Sequence, residues 1–152
     1  MLEQKIPQTL TEEQVKHINS NTLILLSTVD HESHGPNTCA ISWVTAINEK
    51  TIRFSITNNS RTFSNIKNNP KVTLSMIGLE TVYSITGMIN VLNEKIEGVH
   101  LPLSKLELQI EAVFDSMFWG GKITQTPIYE KTYNPQKADA LDKQVYAALL
   151  LI

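Results

Sequence analysis

The sequence predicts a mainly β, α+β protein: six antiparallel strands closed into a barrel, a short helix between strands three and four, and a helix at each end. Three observations carry this. Apolar and polar residues alternate in several separate stretches, the period of strands that bury one face. Short polar turns join consecutive strands, so neighbours pair as hairpins and the sheet is antiparallel. Six such strands would leave two long edges open, which closure into a barrel removes.

Taken in order, Thr11 and Gln14 form a capping box and Leu10 with Val15 has the spacing of a hydrophobic staple. They predict a helix over 12–19 whose stripe, Val15 and Ile18, plugs one end of the barrel. Residues 22–30 are apolar enough for a first strand buried on both faces, and His31-Glu32-Ser33-His34-Gly35-Pro36 is a polar turn. Strand two covers 37–48. After Asn48-Glu49-Lys50, strand three covers 51–56 with Ile52, Phe54 and Ile56 pointing inward.

A polar corner, Thr57-Asn58-Asn59-Ser60, leads to a short helix over 61–68 that packs through Phe63 and Ile66 and stops at Asn69-Pro70. Val72, Leu74 and Met76 face inward on strand four. Strand five contains Val82, Ile85, Ile89 and Val91, with Gly87 marking a bulge or a close backbone approach. In strand six Leu106, Leu108, Ile110 and Ala112 alternate with Lys105, Glu107, Gln109 and Glu111, a pattern that outweighs the helix propensity of Leu and Glu.

Past Gly120-Gly121 and an irregular stretch, Asn134-Pro135 caps and opens a last helix over about 135–150. Ala138, Leu141, Val145, Ala148 and Ile152 form its stripe, Asp139 and Lys143 pair outside, and it packs either on its own barrel or on a second subunit. The reading is one domain, 1–152, with a barrel core of about 22–116.

A chain of 152 residues suits one domain. Charged residues are 18%, apolar ones 41%, and the net charge is −2, which argues against disorder and against a basic nucleic-acid footprint. The expected partner is a small molecule or another copy of the chain. Cys39 is the only cysteine, so no intramolecular disulfide forms. No apolar run reaches the ~18 residues of a membrane span, and the N-terminus has acidic and polar residues that a signal peptide avoids. The expectation is a cytoplasmic protein with no membrane or nucleic-acid partner.

The strongest chemical signal is the corner before the short helix. Ser60 is placed to cap it, with Arg61 and Thr62 in the first turn. A helix start offers unpaired N–H groups and partial positive charge, and hydroxyls with a guanidinium complete a phosphate cradle. The same residues equally describe an ordinary cap beside a solvated arginine, and the corner lacks the glycines of common phosphate loops. His31 and His34 form HxxH within a turn with no third ligand, so no metal is expected. His17 and His100 read as structural. Nucleophile-elbow, Walker, Rossmann and zinc-ribbon motifs are absent from the sequence.

The wording Phe54-Ser55-Ile56-Thr57-Asn58-Asn59-Ser60-Arg61-Thr62, followed by Asn65-Ile66 and Asn68-Asn69-Pro70-Lys71-Val72, resembles the FMN-binding split-barrel family of pyridoxamine 5'-phosphate oxidase-like proteins. The resemblance spans roughly residues 8–120. It implies that the barrel is split, that FMN is the cofactor, and that Thr57, Ser60, Arg61 and Thr62 contact its phosphate. Thr62 stands where the family frequently has lysine; Lys67 is a candidate replacement or a solvated lysine. Strand two of the family lines the isoalloxazine ring, which points to Cys39, Ile41, Ser42 and Trp43. The oxidase has a basic residue near the position of Cys39 and this chain does not. Cys39 reads as a small buried hydrophobe rather than a nucleophile, and Trp43 either flanks the ring or fills the barrel.

The resemblance further implies a homodimer with the cofactor between protomers, where Phe118 and Trp119 complete the partner's pocket or else pack on the last helix. The implied function is an FMN-binding flavoprotein, a flavin-dependent oxidoreductase acting on an unidentified small molecule. The alternatives are a non-catalytic protein that binds or senses a flavin, a deazaflavin or haem, and a bare interaction platform. Oxidation of pyridoxamine phosphate itself is not expected, because nothing in the sequence matches the C-terminal Arg/His pair that holds pyridoxal phosphate in the true oxidase.

Overall fold

The computed structural model describes residues 5–151. The first helix, α1 (Glu12–Ile18), opens on the expected capping box: Gln14 N donates to Thr11 Oγ1 at 3.1 Å and Thr11 N to Gln14 Oε1 at 2.8 Å. Leu10 is buried and Val15 packs against the same core.

Seven strands follow instead of six: β1 (Ile24–Val29), β2 (Pro36–Ile41), β3 (Val44–Ala46), β4 (Thr51–Phe54), β5 (Lys71–Gly78), β6 (Thr81–Asn93) and β7 (Lys105–Asp115), with α2 (Arg61–Asn68) between β4 and β5. They form one antiparallel sheet in the order β2-β1-β5-β6-β7-β4-β3. The predicted second strand is two strands, because its halves have different partners. β2 pairs with β1, Ile41 opposite Ile24, while β3 pairs with β4, Val44 opposite Phe54. The two ends of the sheet are therefore consecutive in the chain, separated by Ser42 and Trp43 alone. The sheet curls until its edges meet at that break, which is the split in the barrel.

The inward set departs from expectation in four places. β1 buries one face, with Ile24, Leu26 and Thr28 alternating with half-buried Leu25, Ser27 and Val29. Val82 is half-buried and Val91 exposed at the two ends of the long β6. On β7 the alternation holds through Leu106 and Leu108 and then slips: Thr86 faces Ala112 but Gly87 faces Ile110, so Glu111 is the extra residue of a bulge and Val113 enters the core. Both readings of Gly87 hold together there, since a Cβ on it would lie 2.0 Å from the Gln109 carbonyl oxygen. Lys105, expected on the polar face, is buried.

The last helix, α3 (Pro135–Leu150), starts where predicted: Asn134 Oδ1 accepts from Gln136 N at 3.0 Å and Lys137 N at 3.1 Å, with Pro135 first in the helix. It packs on its own barrel. Val145 and Leu149 form a second, smaller core with Ile96, Val99 and Leu103, flanked by Trp43, Leu141 and Ala148. Lys143 Nζ lies 3.0 Å from Asp139 Oδ2 on the outer face; Ile152, the last member of the predicted stripe, is outside the described residues. The helix's C-terminal carbonyls are clamped by the barrel. Arg53 Nη1 donates to Leu149 O at 3.0 Å and Leu151 O at 2.8 Å, Arg53 Nε pairs with Glu107 Oε2 at 2.9 Å, and Lys105 Nζ donates to Leu151 O. Among the described residues no helix is long and apolar enough to cross a membrane.

Candidate functional site

The corner after β4 folds as its residues dictate. Ser60 is extended at φ −89° and ψ 157°, its hydroxyl accepts from Phe63 N at 3.1 Å, and it donates to Thr57 O at 2.7 Å. That cap leaves the amides of Arg61 and Thr62, at the head of α2, without intrahelical acceptors. In front of them opens a cleft of about 270 Å³. Cys39, Ala40, Ile41, Ser42 and Trp43, running through the break between β2 and β3, make one wall; Ser55, Ile56, Thr57, Ser60 and Thr62 make the other. Cys39 Sγ and Thr62 Oγ1 are 3.6 Å apart across it.

The structure thus brings together Cys39, Ile41, Ser42, Trp43, Thr57, Ser60 and Thr62 from two segments of the chain. It adds Ser55, which the sequence reading missed: this residue is 2% exposed and, among the described residues, its hydroxyl has no hydrogen-bond partner. Its signal was its position between inward Phe54 and Ile56, which turns it to the face where the cleft lies.

Arg61, Lys67 and Trp119 do not line the cleft. The Arg61 guanidinium forks onto Asp30, Nε to Oδ1 at 2.6 Å and Nη2 to Oδ2 at 3.0 Å, and its Nη1 lies 3.5 Å from Glu32 Oε1. Asp30 also accepts from Ser33 N at 2.8 Å and Glu32 N at 3.1 Å. The Arg61 bonds first, and then the turn amides, hold the Asp30 carboxyl well below the usual carboxylate range, while Asp30 raises Arg61. Lys67 Nζ pairs with Glu94 Oε1 at 2.5 Å and sits 5.7 Å from the centre of the Phe63 ring. Trp119 is 98% exposed and Phe118 71%, so neither packs on the last helix.

Two further groups shape the site. Asn65, wholly buried on α2, accepts at Oδ1 from His31 N at 2.9 Å and His31 Nδ1 at 2.8 Å, and donates from Nδ2 to Thr28 Oγ1 at 3.1 Å and Asn37 Oδ1 at 2.9 Å. It uses its full hydrogen-bonding capacity to fix α2 on the β1–β2 turn. Trp43 does not fill the barrel: it stands between the cleft and the second, smaller core. Its ring lines the cleft and packs on the second core, and its Nε1 donates to Asp142 Oδ1 of α3 at 2.7 Å. Tyr146 on α3 donates to Ser42 O at 2.7 Å; burial, then Tyr129 and Asp142, push its hydroxyl up to about 12, so it remains a donor. Among the described residues, no three His, Cys, Asp or Glu side chains converge to hold a metal. A hollow of about 940 Å³ between α1 and the turn before β4 contains none of the predicted site residues.

A barrel split beside a helix-capped polar cleft defines a class, the split-barrel proteins. The pyridoxamine 5'-phosphate oxidase family model matches residues 10–146, and the chain belongs to that family. Solved structures that share the fold include three of differing description. A candidate pyridoxamine 5'-phosphate oxidase from Lactobacillus delbrueckii is 24% identical, with 71% of this chain and 95% of that one covered at a TM-score of 0.60. An FMN-binding protein from Syntrophomonas wolfei is 20% identical over 68% of this chain and 84% of its own, with a TM-score of 0.54. The haem storage protein HutZ from Vibrio cholerae is 17% identical over 68% and 93%, also with a TM-score of 0.54. No curated protein matches the sequence.

Proposed function

We propose that the chain binds FMN in this cleft, as a cytoplasmic homodimer whose second copy completes the pocket, and acts as a flavin-dependent oxidoreductase on a small molecule. The observation that carries the reading is the convergence of the residues named above on one cleft at the head of α2, with the buried, unpartnered Ser55 hydroxyl in its lining. The donor set fits a phosphate tail. The free amides of Arg61 and Thr62 and the hydroxyls of Thr57 and Thr62 are oxygen-binding groups at the positive end of a helix. Arg61 is the cation of that turn; Asp30 balances its charge and Glu32 adds a second carboxylate, so it reaches a phosphate by turning away from them. The 39–43 segment and the Trp43 ring offer a flat wall for a ring system. When bound, a flavin supplies two-electron redox chemistry at its ring. The chain's part is position and exclusion of water. No Asp, Glu, His or Lys lines the cleft, so no side chain there is assigned to proton transfer.

The haem storage protein among the relatives gives the second reading its weight. Haem iron requires an axial ligand, and the cleft offers only Cys39. His31 is held by Asn65, and His100 lies beyond Trp43. This donor set favours the flavin. The test is the visible spectrum of the purified protein together with thermal melts in added FMN. Flavin bands that a reductant bleaches and air restores, and a melting temperature that rises with FMN, are expected. A Soret band moves the reading to haem, a flavin that no nicotinamide donor reduces makes the protein a binding module, and a melt indifferent to FMN removes the cofactor.

A further inference from the structure

Trp43 has a second neighbour besides the cleft: a groove of about 560 Å³ between α3 and the 100–101 segment, for which Trp43 is a shared wall. The size is that of a small-molecule site. Leu101, Tyr133 and Leu141 continue the apolar surface from Trp43, and the charge-bearing groups of the lining are Lys137 and His100. No carboxylate lines it. The acidic side chains nearby on α3 are already engaged, Asp139 with Lys143 at 3.0 Å and Asp142 with Trp43 Nε1 at 2.7 Å and Lys131 at 3.4 Å. Among the described residues Lys137 forms no ion pair, so the charge left facing the groove is positive. The groove is also held in register with the cleft, because Trp43–Asp142 and Tyr146–Ser42 tie α3 to the break between β2 and β3.

We propose that this groove is a second ligand site, separated from the cleft by Trp43, and that it takes a small monoanion with a flat apolar body, an aromatic or conjugated carboxylate. The body lies on Trp43, Leu101 and Leu141; Lys137 and His100 read the carboxylate. Its binding does not rest on the flavin reading.

The test is calorimetric titration of the purified protein with trans-cinnamate and with its neutral amide, alongside FMN. Cinnamate is expected to bind about tenfold tighter than the amide, the worth of one charge-assisted contact. Lys137→Gln should remove most of that preference while amide affinity stays within about twofold. Equal affinity for acid and amide, no binding of either, or a preference that survives Lys137→Gln overturns the proposal. FMN binding without cinnamate binding defeats the groove alone, and cinnamate binding without FMN binding defeats the flavin reading alone.

Discussion

The head of α2 and the tail of α3 are both helix ends fastened to the barrel, by opposite means. At α2 the cap is local, Ser60 to Phe63, and the nearby cation, Arg61, is 54% exposed on a buried carboxylate. At α3 the fastening is long-range: Arg53 and Lys105, both on barrel strands, donate to carbonyls of residues 149 and 151, and Lys105 is 5% exposed. A half-exposed guanidinium is screened by water and can exchange partners, whereas a buried cation stripped of its acceptors leaves polar groups unsatisfied. The first end is suited to a ligand and the second to holding the molecule together. Perturbing Arg61 at the head of α2 should change binding more than stability; perturbing the α3 clamp should do the reverse.

The largest expected effect lies at the clamp. Arg53→Met leaves Glu107 without its cation and the Leu149 carbonyl unanswered, with Leu151 O keeping only Lys105, and should cost about 3 kcal/mol in denaturant unfolding. A loss no greater than that of a surface substitution would erase the contrast. Next comes Asn65→Ala, which strands His31 N, Thr28 and Asn37 and should cost about 2 kcal/mol, because this anchor of α2 is buried where Arg61 is not.

A smaller effect is a pH slope. Burial first, and then Arg53, lower the Lys105 ammonium below its usual range. The unfolded chain therefore binds the proton more tightly, so stability rises as pH climbs through the folded value towards the ordinary lysine value of about 10.4. Melting curves of Lys105→Met should lack that rise; parallel pH profiles for the two proteins would place the lysine in solvent. Arg61→Ala leaves the Asp30 carboxylate on the Ser33 and Glu32 amides, so it should lower the melting temperature by less than Arg53→Met does, weaken FMN about tenfold and leave riboflavin binding unchanged. The Asp30 carboxyl, held below the ordinary range, is ionised in both states above about pH 5, so the stability the pair contributes is constant there and falls away only in strong acid.

What could be read from the sequence follows the same division. Thr11 with Gln14, Ser60, and Asn134-Pro135 act within four residues of themselves, so their helix starts were legible. Seven strands were read as six because residues 36–46 contain no glycine, and no proline after Pro36, to mark where the strand changes partners at Ser42 and Trp43. The wording of the corner located most of the cleft, Thr57, Ser60 and Thr62 directly and Cys39 to Trp43 through the family's strand order. It could not give the hold of Asp30 on Arg61, 31 residues away, nor α3's docking, which depends on contacts from Arg53 to Leu149 and from Ser42 to Tyr146. Lys105 sat in a polar slot of an alternating strand, and only the helix laid over it makes that slot an interior.

The claim that the head of α2 grips a phosphate is tested most directly by titrating the wild-type protein with FMN and with riboflavin, which differ only in that group. FMN should bind ~100-fold tighter, since helix amides and hydroxyls meet its charged tail. Equal affinities would contradict the account.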